Sequence, residues 1–175
     1  MVWLPVSEAN AWAVLRNAEK ARDGIERAER AWDQVRANDL DEMGGIAAFS
    51  RARQLHFTAG VLIWLPDESS TAEVYASQAV EQYSDPTGPE WSFAGAAGSQ
   101  AVLAIARIGS GKIKGAAEAL VQVFNLPPEQ RVNGIIQSVN QVHRILSSIP
   151  ASVTVRGLQE RIESYVLGSA RVLAR

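Results

Sequence analysis

The sequence predicts an all-α chain of about seven helices folded as antiparallel hairpins. Apolar residues recur at alternating spacings of three and four through almost every segment, which places them on one face of a helix. Glycine and proline stand between the segments, at Gly44–Gly45, Pro66, Pro86–Pro89, Gly109–Gly111, Pro127–Pro128 and Pro150. Connections this short make consecutive helices antiparallel. No segment shows the period-two alternation of a half-buried strand.

Each element can be justified in order. From Ser7 to about Ala37 the seam Ala11, Val14, Ala18, Ala21, Ile25, Ala28, Trp32 and Val35 stays in phase, so one long helix is expected, with Ser7 as its N-cap. The polar stretch Asn38–Gly45 leads to a second helix, about Ile46 to Leu65, burying Phe49, Ala52, His56, Gly60 and Ile63. Its small row from Ala52 to Gly60 would admit a close neighbour, and Pro66 stops it. Ser70 and Glu73 read as a capping box for a third helix that buries Ala72, Ala76, Ala79 and Tyr83. Asp85–Pro89 is a turn, and a fourth helix follows from about Glu90 to Ile108. The fifth carries the stripe Ile113, Ala116, Ala117, Leu120, Val121 and Phe124. Pro128 suits the first turn of the sixth, with Val132, Ile135, Ile136, Val139, His143 and Leu146 on one face. The last buries Val155, Leu158, Ile162, Tyr165 and Val166.

Small residues then give the hairpins a register. In the frame of a tetratricopeptide repeat, Leu103 and Ala104 take the Leu-Gly pair of the first helix and Gly111 the turn. Ala116, Leu120 and Val123 take the second helix, and Pro128 the terminal proline. Gly60, Ala72, Ala76 and Ala79 fit the same frame earlier, and Leu15, Ala28, Trp32 and Val35 echo it weakly. The two clear frames lie farther apart than the repeat's length of about 34 residues, which makes the Asp85–Pro89 region an insertion. The chain thus reads as a tetratricopeptide-like stack forming a single domain over residues 1–175.

Composition narrows the function. Seventeen basic against 19 acidic residues leave a net charge of -2, with no basic stripe, which argues against direct nucleic-acid binding. The absence of cysteine removes disulfide and thiolate chemistry and fits a reducing cytoplasm. No apolar run is long enough for a membrane span, and the N-terminus lacks the pattern of a secretory signal.

Catalytic signatures are missing. Gly109-Ser110-Gly111-Lys112 resembles a phosphate loop only superficially: Ile113 stands where Ser or Thr should hold magnesium, and a helix precedes it. His56 and His143 lie on apolar faces without a second ligand at helical spacing, so each is expected to bond a backbone carbonyl rather than a metal. Glu160 and Glu163, near Arg156 and Arg161, read as a solvated charged face. No cofactor or metal is implied. The tryptophans are the more suggestive residues, above all Trp64 and Trp91 beside inter-helix turns. Their default role is core filling. As a ligand-binding set the sequence offers Arg53, His56 and Trp64, with Trp91 as a further stacking surface.

Several strings bear a likeness. DLDEMGG from Asp39, FSRARQLHFTAG from Phe49, WLPD from Trp64, LAIARIGSGKIKGAAEALVQVFNLPPEQRVNGI from Leu103 and QVHRIL from Gln141 resemble the C-terminal region of actinobacterial helix-turn-helix transcription regulators of the XRE type. There a DNA-binding domain precedes a tetratricopeptide-like region. The chain lacks that first domain, so it is expected to be a C-terminal fragment of such a regulator or a stand-alone relative. The resemblance supplies no catalytic or ligand motif. It implies a regulatory role: sensing a peptide, protein or small-molecule effector. The alternative is a dimerisation or adaptor scaffold, with a homodimer as the partner.

Overall fold

The computed structural model describes residues 3–34, 49–89 and 91–173. Among them are eight α-helices and no strand: α1 (Trp3–Val14), α2 (Ala18–Asp33), α3 (Arg51–Leu62), α4 (Ser69–Gln82), α5 (Phe93–Gly109), α6 (Ile113–Phe124), α7 (Asn133–Leu146) and α8 (Val153–Leu173), with a short 3₁₀ turn at Pro128–Gln130. The chain is all-α, as its periodicity predicts. Each odd-numbered helix packs on the even-numbered helix that follows it, and α1, α3, α5 and α7 also pack on one another in sequence. Four hairpins therefore lie side by side, with the odd helices forming a continuous layer.

The expected long first helix is two helices. The amide of Arg16 donates to Ala13 O and that of Asn17 to Trp12 O, while Arg16 sits at φ 58°. This left-handed reversal closes the end of α1. Asn17 then caps α2 by accepting from the Lys20 amide at 3.1 Å. Only the second half of the expected seam is buried, at Ala21, Ile25 and Ala28; Ala11 and Val14 are exposed, and after the reversal α1 instead turns Val6, Ala9 and Ala13 inward. Where α1 crosses α2, a Cβ on Gly24 would lie 2.8 Å from Ala9 Cβ, so only glycine permits this approach. The weak repeat echo falls on a segment that forms a hairpin, but of its positions Leu15 is exposed and Val35 lies outside the described residues.

The connection Asn38–Gly45 and the expected start at Ile46 also lie outside the described residues. Ser50 caps α3 by accepting from the Arg53 amide. The helix buries two faces rather than one, since Gln54, Thr58 and Val61 are enclosed as well as Ala52, Leu55 and Ala59. Gly60 is not a crossing point: a Cβ there would meet nothing within 4 Å. Ala59, wholly buried, does that work instead.

The capping box does not form, because α4 begins at Ser69 and Glu73 is engaged elsewhere. Its carboxylate takes Lys112 Nζ at 2.7 Å and Arg107 Nε at 3.3 Å, while Arg107 also donates to Gly115 O. These cations, led by Lys112, hold the Glu73 carboxyl below its ordinary range. The network pins α4 to the α5–α6 turn. In that turn Gly111, at φ 74°, makes the same reversal that Arg16 makes, with Gly111 N on Ile108 O and Lys112 N on Arg107 O. The glycine-rich loop is a helix terminator, not a phosphate cradle.

The main core runs from α3 to α8 and is built from Leu103, Ile105, Leu120, Val123, Val139, Leu146 and Ile162, all nearly or wholly inaccessible. Burying a side chain such as Leu120 contributes roughly 2 kcal/mol. The frame positions Ala104, Ala116, Leu120, Ala72, Ala76 and Ala79 are all at 0 % exposure, as residues at close helix crossings should be. Val121 and Val132, like Val14 in the first hairpin, depart from expectation and are exposed. Pro128 opens the 3₁₀ turn rather than α7.

Candidate functional site

Three concavities receive the four residues that the sequence singles out. Arg53 and His56, one turn apart on α3, line a cavity of about 290 Å³ with Trp3, Phe49, Phe57 and Tyr83. Trp64 is not with them. Eight residues beyond His56 it stands past the end of α3, roughly 12 Å along the axis, and lines a different hollow with Val14 and Pro66. Trp91 belongs to a third cavity of about 360 Å³. The structure therefore keeps the Arg53–His56 pair and divides the rest.

His56 is packed edge-on to Phe57, with ring centroids 5.1 Å apart, and its Nδ1 lies 3.2 Å from Ser99 Oγ. The partner is a hydroxyl, not the backbone carbonyl expected. Gly98 gives the ring room, since a Cβ there would come within 3.2 Å of His56 Cε1. Enclosure disfavours the imidazolium and pushes the His56 pKa down to about 4. Ser99 is wholly inaccessible, so this Ser–His pair presents no nucleophile to a substrate. His143 also departs from expectation. Its Nε2 lies 2.9 Å from the Glu163 carboxylate, joining α7 to α8.

The cavity beside Trp91 is the more developed site. Its walls come from α4, α5, α6, the turn after α4 and the 3₁₀ turn. Asp85 shapes the entrance: its Oδ1 accepts from both the amide and the hydroxyl of Thr87, which fixes Pro86 against the opening. Trp91 and Phe93 supply aromatic wall, and both are partly exposed. From α5 and α6 a pair of amides joins the lining. Gln100, 7 % exposed, donates through Nε2 to Gln122 Oε1 at 3.2 Å. Ser84 and Gln130 add to the polar lining, and among the described residues no acidic, basic or histidine side chain contributes.

Tyr83 separates this cavity from the one holding His56 and lines both. It is buried so closely on α5 that a Cβ at Gly95 would fall 2.7 Å from Tyr83 Cζ. Of this amide-lined site the sequence indicates only Trp91. The glutamines were missed because an isolated glutamine on a helix face is normally solvated. The available signal was Gln100, a long polar side chain placed among the small and apolar residues of α5.

Among the described residues no cluster of His, Asp and Glu could hold a metal ion, and no helix is long and apolar enough to cross a membrane. Fold and site together define an all-α domain of packed helical hairpins with an uncharged, partly aromatic cavity. Compared with protein-family models, curated proteins and solved structures, the chain finds no match in any of the three.

Proposed function

We propose that this chain is a non-enzymatic, tetratricopeptide-like binding domain that acts as the effector-sensing part of a bacterial transcription regulator. The observation that supports it best is the cavity walled by three successive helices and two inter-helix connections. A ligand there touches α4, α5 and α6 at once, so it favours one relative placement of the hairpins over others. That is the mechanical requirement of a sensor. The strings resembling regulators of the XRE type favour the same role. The enclosed Ser99 beside His56 speaks against hydrolytic chemistry at the one Ser–His pair described.

Thermal unfolding of the purified chain against fractions of cell extract, peptides and metabolites tests this reading. A native-state ligand at a hundredfold excess over its dissociation constant adds about 2.7 kcal/mol and raises the midpoint saturably. If no fraction moves the midpoint, the sensing role falls.

A second reading, a dimerisation or adaptor scaffold, has its own observation. Leu4 and Val14 on α1 and Leu15 just after it are exposed by 55 %, 62 % and 69 % respectively, apolar surface left uncovered at the first hairpin. Sedimentation decides it: a chain that stays monomeric at high concentration removes the homodimer.

A further inference from the structure

The glutamine pair indicates what the cavity would hold, an inference that rests on the sensing role just proposed. Gln100 and Gln122 satisfy one another only once, through Gln100 Nε2 and Gln122 Oε1. Each side-chain amide carries a carbonyl acceptor and two N–H donors. Gln100 Oε1 and Gln122 Nε2, on the two hydrogen-bonded amides, therefore remain available, with no further protein partner among the described residues. One accepts and the other donates. Exchanging the N and O positions of both amides leaves the same complement, one acceptor and one donor.

An isolated buried polar group costs stability unless it is paired. Gln100, nearly inaccessible beside Val80, Ala97 and Val123, meets part of that need through Gln122 and lines a space of about 360 Å³. The space lies within the range of small-molecule sites. The described lining carries no charged side chain, so an ionised ligand would lose hydration without gaining a counter-charge. Trp91 and Phe93 add flat apolar surface suited to an aromatic ring.

We infer that this cavity binds an uncharged, planar small molecule through an amide edge, such as a lactam or carboxamide. Its N–H donates to Gln100 Oε1, and its carbonyl accepts from Gln122 Nε2. Trp91 and Phe93 flank the ring. Selectivity arises because a ligand lacking either group strands a glutamine atom that water must otherwise satisfy.

The test is a titration of the full chain, labelled with nitrogen-15, with quinolin-2-one, nicotinamide and 2-pyridone as probes. Two matched controls accompany them: N-methylquinolin-2-one, which lacks the donor, and quinoline-2-carboxylate, which is charged. At least one lactam or carboxamide should shift the side-chain amide signals of Gln100 and Gln122 saturably, and both controls should bind at least tenfold more weakly. Gln122→Leu, at an exposed position that leaves the fold intact, should lower the affinity of the probe that binds about tenfold. Equal binding by a control, an unaffected Gln122→Leu variant, shifts confined to the His56 cavity, or no binding by any probe at millimolar concentration each overturns the inference.

The same variant separates this inference from the sensing role. Extract fractions that stabilise the native chain and Gln122→Leu alike leave the sensor standing and remove the amide site. Probe binding that depends on Gln122, with no active extract fraction, keeps the amide site and removes the sensor.

Discussion

The first hairpin, α1–α2, and the third, α5–α6, reverse direction by the same backbone route and are held by different means. Both turns place one residue in the left-handed region and return two amides to the helix just completed. In the third hairpin that residue is Gly111, and behind it lie Leu103, Ile105, Leu120 and Val123. In the first it is Arg16, and the buried contact consists largely of Ala9, Ala13, Ala21, Gly24 and Ala28. One hairpin gains stability from bulk and a relaxed turn. The other depends on close approach of two small-residue faces and carries a strained turn. The difference teaches that a shared turn geometry does not imply a shared source of stability.

Five measurements would break or sharpen that contrast, in descending size. Leu120→Ala removes a wholly buried side chain from the large core and should destabilise by about 2–5 kcal/mol in denaturant unfolding. A loss well under 1 kcal/mol would mean that the third hairpin does not depend on bulk. At His56, whose layer joins the two regions, acid should weaken the fold. The folded pKa of about 4 lies below the unfolded value near 6.5, so the neutral ring's contribution is complete above pH 6.5 and is lost as pH falls towards 4. The full loss would be up to about 3 kcal/mol, read from midpoints between pH 7 and 4, and His56→Gln should flatten that part of the profile.

Gly24→Ala should cost about 1–3 kcal/mol, because its Cβ would press on Ala9 and on the Pro5 carbonyl within 3.0 Å. A neutral result would show that the first hairpin is not close-packed. The smallest effects should have opposite signs. Gly111→Ala is expected to lose about 1 kcal/mol, since Ala resists a positive φ although the space around it is open. Arg16→Gly, at an exposed site, should gain up to about 1 kcal/mol by relieving the same conformation. If thermal scans show both losing stability, Arg16 has contacts beyond its backbone role.

Much of this was legible in the residues. Three- and four-residue periodicity fixed where α4 to α8 run, because an amphipathic helix must turn its apolar stripe inward whatever its neighbours are. The small positions Ala72, Ala76, Ala104 and Ala116 were legible too, since close crossings tolerate nothing larger. At α1–α2 the same reasoning misled. A seam held in phase is equally compatible with one long helix and with two that fold back on each other, and only the Asn17 cap and the Arg16 reversal distinguish them.

Sequence alone, then, determined an all-helical chain, its turns at glycine and proline, and most of its buried faces, because these follow from local periodicity and backbone sterics. Tertiary structure decided what meets what. It brought Arg53 to His56 while sending Trp64 elsewhere, and it engaged Glu73 with Lys112 rather than with its own helix end. It also assembled Trp91, Gln100, Gln122 and Gln130 around one space. Those residues come from four separate elements, and their meeting depends on how the hairpins cross, which no local pattern records.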